Sequence, residues 1–267
     1  MADKPYVIRI SSQKGGVGKT TIAVNLSVAL SIYSYKTLLV DADTTNPSVG
    51  FALGLEQVNK GYQDVIYGDV KLKDAVALHS PSGLYVLPGT LHPANYRRSV
   101  PAINNIIDGA SSESYEFIII DTAPGLSAME PAQYLDEALI VSTPDISSFT
   151  SSIRLSKLCD KYGIHHNMVV NRYKNKRYEV SIREIEELYG NRILATVPES
   201  EDVPLGIADH IPTYMLQRKS PFSLAIKEVA RIYASKGGRT IGQQLGGGPG
   251  RGGGGGLIGW IRRILGI

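Results

Sequence analysis

Short apolar runs, YVIRI, TLLV, LYVLP, FIIID, ALIVS, NMVVN and RILAT, recur along the chain, separated by stretches whose apolar positions repeat at the 3.6-residue helical period. Runs that are apolar at nearly every position leave no wet face, so each predicts a strand covered on both sides. Their alternation with helical patterns predicts an α/β fold: a mostly parallel sheet with helices on both faces. Thr20 to Ile32, Thr150 to Tyr162, Ile182 to Tyr189 and Phe222 to Ala234 read as helices packed on that sheet. No internal repeat is visible. The pattern stops at residue 236, and residues 237–256 are Gly-rich, a composition that loses too much backbone entropy on ordering to pack stably. The predicted organisation is therefore a domain over 1–236, a flexible linker over 237–256 and a separate C-terminal segment over 257–267.

That last segment, LIGWIRRILGI, returns to helical periodicity. At ~100° per residue, Leu257, Ile258, Trp260, Ile261, Ile264, Leu265 and Ile267 fall on one arc of roughly 180°, opposite Gly259, Arg262, Arg263 and Gly266. Eleven residues are too few for a span, which takes about twenty. They suit a helix lying in a membrane interface, with Trp260 at headgroup level and the arginines toward anionic lipid. A helix docked on its own core and a helix seated in a partner protein's groove are the two other readings of the same wheel.

Composition adds limits. At 267 residues and 28.9 kDa the chain buries one substantial core, and its net charge of +3 is too small to imply nucleic acid. The distribution says more: after Glu228 there is no acidic side chain, while Arg231, Lys236, Arg239, Arg251, Arg262 and Arg263 follow. The lone Cys159 falls in a helical pattern, as a buried thiol does, and the scattered histidines show no zinc spacing. MADKPY carries no apolar targeting core, which predicts a cytoplasmic protein, and the C-terminal segment predicts reversible visits to the inner face of the cell membrane.

The chemistry is concentrated in SSQKGGVGKTT, residues 11–21, between the first strand and the first helix. A loop there turns successive backbone N–H groups and a helix N-terminus toward an anion, as a triphosphate requires. Gly15, Gly16 and Gly18 let the backbone approach phosphate oxygens, with Val17 and Thr21 completing the loop. Lys19 is placed to reach the β and γ phosphates, and Thr20 to ligate Mg²⁺. The common form of the motif has glycine where Gln13 stands. LLVDAD puts Asp41 and Asp43 at the C-terminal edge of the sheet, where ligands of such folds bind, and FIIIDTAPG does the same for Asp121. A carboxylate after four apolar residues is costly to leave unpaired, which favours a metal partner for Asp121.

KGGVGKT resembles the deviant phosphate loop of the MinD/ParA ATPases, and the resemblance covers roughly residues 4–236. It implies an enzyme that hydrolyses ATP with Mg²⁺. By it, Lys14 is the extra lysine that crosses to the partner subunit's nucleotide, so ATP joins two subunits into a dimer. Asp43 orients the attacking water and, with Thr20 and Asp121, belongs to the metal shell; Pro124 and Gly125 lie in the second switch. NRY, containing Asn171 and Arg172, is similar to the adenine-recognition step, and Pro198 and Glu199 to the loop closing the base's other side. GYQDVIYGDVKLKDAV, LYVLPG and DEALIVSTPDISS are closer to MinD than to plasmid ParA segments, whereas the first switch departs from MinD, running TTNPSVG after Asp43.

The resemblance implies a cycle in which ATP pairs subunits, paired tails hold the dimer on anionic lipid, and hydrolysis, stimulated by an unidentified protein partner, releases it. Its cellular role is spatial positioning, of the division site or a related structure. A ParA-like ATPase using Lys227, Arg231 and Lys236 on DNA is the alternative, as is a positioning ATPase for flagella, archaella or chemoreceptor arrays. A nonenzymatic nucleotide-dependent scaffold is a further class. Iron–sulfur relatives need cluster cysteines that one Cys159 cannot supply, and the related tyrosine kinases carry a tyrosine-rich tail that this chain lacks.

Overall fold

The structure is a computed structural model that describes residues 4–55, 59–90, 103–125, 134–190 and 192–236. The predicted linker and C-terminal helix lie outside the described residues. Within them, one sheet is built from β1 (Tyr6–Ser11), β2 (Thr37–Asp41), β3 (Ala77–His79), β4 (Leu84–Leu87), β5 (Phe117–Asp121), β6 (Glu137–Ser142), β7 (His166–Tyr173) and β8 (Ile193–Pro198). The spatial order is β3-β4-β2-β5-β1-β6-β7-β8. All neighbours run parallel except the edge strand β3, which pairs antiparallel with β4. All seven apolar runs are strands of this sheet. The three-residue β3 was not predicted, because its burial alternates and its length carries no period.

From β1 the chain crosses to β2 on one side, and from β5 it crosses to β6 on the other. The C-terminal ends of β1, β5 and β6 therefore surround a topological switch point, where an open α/β sheet leaves a crevice.

Helices α1 (Lys19–Ile32), α2 (Val49–Ala52), α3 (Tyr62–Ile66), α4 (Asn104–Ser112), α5 (Ile146–Lys161), α6 (Ile182–Tyr189), α7 (Asp202–Ala208), α8 (Thr213–Leu216) and α9 (Pro221–Lys236) cover the sheet. One face carries α1 and α9, whose Leu26, Leu30, Ile226 and Tyr233 pack with Ile8, Ile10, Leu39 and Ile119. The other carries α4, packed over Leu38, Val40 and Ile118, and α5 with α6, packed over Ala138, Ile140 and Met168. Buried Arg9 stands between those two clusters, opposite Ile120 on one neighbour and Ala138 on the other. α5 begins at Ile146, four residues before the predicted start, because Asp145 caps it: its Oδ1 accepts the Ser148 N–H at 2.9 Å. The serine-rich first turn hid that start from the apolar period. Cys159 is buried as expected, and burial pushes its thiol up to about 11.

The end of α9 is fastened to the sheet by a buried carboxylate. Glu137, fully buried at the start of β6, accepts from the Tyr233 hydroxyl at 2.6 Å, the Asn167 amide at 2.6 Å, the Tyr6 hydroxyl at 3.1 Å and the Lys236 ammonium. Burial alone raises its pKa, but the hydrogen bonds from Asn167, Lys236 and Tyr233 outweigh that, and the net shift is downward. The last described residue, Lys236, is thereby held at the edge of the sheet opposite the crevice.

Removing one partner from such a cluster strands the others. We expect Glu137→Ala to lower stability by about 3–5 kcal/mol, a fall in Tm on the order of 10 °C by calorimetry, and an unchanged Tm contradicts the assignment. A depressed folded-state pKa gives stability that is present above the unfolded value of 4.5 and lost as pH falls through the lower folded value, so the difference between wild type and Glu137→Gln shrinks on acidification below that window.

Candidate nucleotide site

Between β1 and α1 the chain turns through Gly16 at φ 75° and Gly18 at φ 95°, left-handed conformations that glycine adopts without strain. Gly18 is the N-cap of α1, no side chain caps that end, and the first turn has no acidic residue. Its N–H groups and the positive end of its dipole are left to an external anion. The loop is braced rather than loose. Ser12 Oγ donates to the Lys14 carbonyl at 2.7 Å, and the Asn171 amide donates to the Val17 carbonyl at 2.8 Å. A Cβ on Gly18 would run into that same Asn171 amide.

Asn171 reaches the loop because β7 is irregular: its register with β8 shifts between Val170 and Tyr173, and Arg172 sits at φ 60°. A non-glycine residue in that region beside a cleft marks a backbone held there by its surroundings. The resemblance gives the Asn171 amide to a base edge; its Nδ2 donates to the phosphate loop, and the residue lines the adjoining cleft.

Lys19 is almost fully buried at the start of α1, and burial lowers its pKa against the opposing pull of Asp121 and Asp43. Thr20 Oγ1 donates to Asp121 Oδ2 at 2.6 Å and accepts from Ser48 Oγ at 3.2 Å. Asp121 is buried at the end of β5, and its Oδ1 has no hydrogen-bond partner. Burial pushes its carboxyl up to about 7, with the Thr20 bond pulling down and nearby Asp41 pushing further up. An orphaned buried oxygen beside a hydroxyl is a donor set that a hard divalent cation satisfies. Mg²⁺ therefore fits here: Thr20 and Asp121 would hold it, Asp43 stands nearby, and the ion would neutralise charge on phosphate oxygens.

The loop after β2 is folded on its own carboxylates. Asp41 accepts from the Val49 N–H at 3.0 Å and the Asp43 N–H at 3.3 Å, and burial pushes it up to about 6. Asp43 Oδ1 accepts from Thr45 Oγ1 at 2.6 Å, Thr45 N–H at 3.1 Å and Asn46 N–H at 3.0 Å. Both carboxylates thus shape the TTNPS loop. The segment after β5 is tied to the phosphate loop: Gly125 N–H donates to the Ser12 carbonyl at 2.9 Å with φ 108°, and Pro124 lies against Gly15.

Two clefts open beside the loop. One, of about 180 Å³, is lined by Thr21 of the loop and by Asn171, Arg172, Pro198 and Glu199, the four residues that the resemblance gives to the base, with Arg172 Nε 3.9 Å from Glu199 Oε2. The other, of about 330 Å³, holds Lys14 with Gly15 and Gly16, and there Lys14 Nζ lies 3.5 Å from Asp145 Oδ1. The described site residues thus gather at one crevice along the C-terminal strand ends. Leu257, Ile258, Trp260, Ile261, Arg262, Arg263, Ile264 and Leu265 lie outside the described residues. Two contributors had escaped the sequence reading. Ser48 is a lone serine 28 residues from its threonine, with no local signal. Asp145 was signalled by PDISS, a cap followed two residues on by serine.

An uncapped helix end behind a glycine-rich loop, with a threonine and a buried strand-end aspartate at its foot, defines the P-loop class of nucleotide-binding folds. A family profile described as "AAA domain" matches residues 6–161. An ATP-binding protein of Methanocaldococcus jannaschii, itself uncharacterised, is 30% identical over 233 residues, covering 85% of this chain and 88% of that one. Among solved structures, the septum site-determining protein MinD of Pyrococcus horikoshii, complexed with Mg-ADP, superposes with a TM-score of 0.80 at 30% identity over 88% of this chain and 98% of that one. A ParA family ATPase of Chlorobium tepidum gives 0.74 at 25% identity over 85% and 99%. The chain belongs to the MinD/ParA family of P-loop ATPases.

Because Gly18 combines φ 95° with a side-chain position already taken by Asn171, Gly18→Ala is expected to weaken ATP binding at least about tenfold, near 1.4 kcal/mol, by titration calorimetry. Affinity equal to wild type would show that the cradle is not where nucleotide sits.

Proposed function

We propose that this protein is a MinD-like ATPase that dimerises on ATP, adheres to the membrane through residues 257–267 and is released on hydrolysis, so positioning the division site or a related structure. Its membership of the MinD/ParA family makes a positioning or partition ATPase the coarser statement. The observation that carries the finer reading is a braced, uncapped phosphate cradle in one chain with an amphipathic segment of eleven residues.

The steps follow from the residues. Phosphate settles on the N–H groups of residues 15–21, with Lys19 on the β and γ oxygens. Lys14 leaves Asp145 and crosses to the partner's nucleotide, where a cation aimed at growing phosphate charge makes pairing depend on the γ phosphate. Asp43 orients the attacking water once it is freed from Thr45 and Asn46. Asn171, Arg172, Pro198 and Glu199 close on the base. Among the described residues no helix is long and apolar enough to cross a membrane, so attachment falls to the terminal segment, with Trp260 and the arginines at the headgroups. One such helix binds weakly; two in one dimer bind together because the second acts at high effective concentration. A protein partner that stimulates hydrolysis completes the cycle.

DNA partition is the second reading, resting on the basic residues of α9. Two of the three are engaged: Arg231 with Glu228 at 2.6 Å and Lys236 with Glu137. That leaves Lys227 for phosphate, a weak electrostatic footprint.

Sedimentation with vesicles of anionic phospholipid tests the proposal. ATP should pellet the full chain, ADP should not, and removal of residues 257–267 should abolish pelleting while ATP binding persists. Equal pelleting in both nucleotides, or pelleting that survives truncation, refutes it. Asp43→Ala should lose hydrolysis and keep ATP-dependent dimers by light scattering; an unchanged hydrolysis rate rejects the role given to Asp43.

A further inference from the structure

The cleft that holds Lys14 is also lined by Lys174, Tyr178 and Glu179, from the loop between β7 and α6. Tyr178 is 73% exposed, more than any other large apolar side chain among the described residues. One exposed aromatic needs no explanation by itself. This one is held rigidly and stands beside the lysine that has to cross. Given the ATP-dependent dimer on which this reading depends, we propose that Tyr178 is a second anchor of that dimer: its ring packs on the surface of a second copy of the chain when Lys14 crosses.

The ring is presented by a loop that is folded in advance. Glu179 Oε2 accepts from the Lys174 N–H at 3.1 Å and the Lys176 N–H at 3.0 Å, and the Glu179 N–H donates to the Lys176 carbonyl at 3.0 Å. Asn175 turns the chain at φ 56°, a conformation asparagine tolerates, and its Oδ1 accepts from the Tyr173 hydroxyl at 3.1 Å. Two residues after the ring, Val180 is fully buried and its N–H donates to the Pro144 carbonyl at 2.7 Å. An aromatic braced on both sides in this way loses little further freedom on being covered, which is the property of residues that carry interface energy.

Position selects the occupant. Pro144 precedes Asp145, whose Oδ1 lies 3.5 Å from Lys14 Nζ, so the loop carrying Tyr178 is bonded to the same segment that Lys14 must leave. A lysine that reaches the partner's nucleotide draws the partner's surface over the cleft in which it stood, and Tyr178 lines that cleft. In a two-fold dimer the same face meets itself, so the ring is covered twice, once from each copy. The charges of the cleft are mixed, Lys14, Arg172 and Lys174 against Asp145, Glu179 and Glu199. A face of both signs suits its own copy better than a nucleic acid or a lipid surface, which offer one sign alone.

The two residues divide the work. Lys14 makes pairing depend on phosphate charge, but it gives up a half-exposed ion pair with Asp145 to do so, and salt screens what it gains. Tyr178 adds buried aromatic area, which salt does not screen and which is gained only once the lysine has brought the second copy over it.

With Mg²⁺ and a non-hydrolysable ATP analogue, a dilution series of the full-length protein by sedimentation velocity gives the dimer dissociation constant. Tyr178→Ala should raise it at least about tenfold, since the two-fold axis removes the ring from both copies. Its Tm, and its affinity for the analogue below the dimerising concentration, should stay those of the wild type. Tyr178→Phe keeps the ring and should dimerise as the wild type does; a loss equal to that of Tyr178→Ala overturns the packing role of the ring. Nitration by tetranitromethane, read by peptide mass, needs no substitution. The analogue should protect Tyr178 several-fold and ADP should not, while Tyr162, exposed at the far end of α5, should react alike in both. A wild type that stays monomeric with the analogue bound defeats the dimer reading and this contact with it. A wild-type dimer whose constant Tyr178→Ala leaves unchanged, or whose Tyr178 nitrates at the ADP rate, defeats this contact alone. A Tm lowered by Tyr178→Ala gives the ring a structural role and likewise overturns the contact.

Discussion

The electrostatic imbalance at the foot of α1 organises the site. A helix begins there with no side-chain cap and no acid in its first turn, over a threonine bonded to a buried aspartate that keeps one oxygen without a partner. Neither feature is stable in isolation: exposed helix N–H groups want an anion, and a carboxylate pushed up to about 7 by burial wants a cation. A metal–triphosphate complex would answer both at once. The surrounding sheet makes the arrangement durable, because the strand ends bearing Ser11, Asp41 and Asp121 are locked in parallel register beneath the crevice.

What holds the cradle also ties it to everything around it. Asn171 braces the loop from β7, Gly125 hangs the segment after β5 on Ser12, and Ser48 links the loop after β2 to Thr20. Each is a single hydrogen bond, modest in net energy, so the restraint on each segment is small enough for ligand contacts to outweigh. Lys14 is in the same position: its ion pair with Asp145 is half exposed, of the kind worth about 0–1 kcal/mol. The Glu137 cluster at the opposite edge is different in kind. Buried and satisfied from several sides, it fixes the end of α9, and with it the point from which residues 237–267 depart.

How much of this was legible in the sequence follows from how local each feature is. The phosphate loop, the strand-end aspartates and the apolar strands were readable because glycine spacing and uninterrupted apolar runs are properties of neighbouring residues. Asn171 was recognised as a site residue, yet its bond to Val17 joins positions 154 apart and depends on a register shift in β7 that no local pattern announces. Ser48 was missed for the same reason. α5 started earlier than its apolar period because its first turn is capped by Asp145 rather than packed by large side chains. Glu137, a charge at the head of an apolar run, reads as a strand end and turns out to be fully buried, since its partners come from β1, β7 and α9.

We propose that a triphosphate in this cradle joins two copies of the chain. Multi-angle light scattering of the full-length protein with Mg²⁺ and a non-hydrolysable ATP analogue measures it directly. The expected mass is near twice 28.9 kDa with the analogue and 28.9 kDa with ADP, the doubling being lost in Lys14→Ala. A mass that stays at 28.9 kDa while the analogue is bound contradicts it.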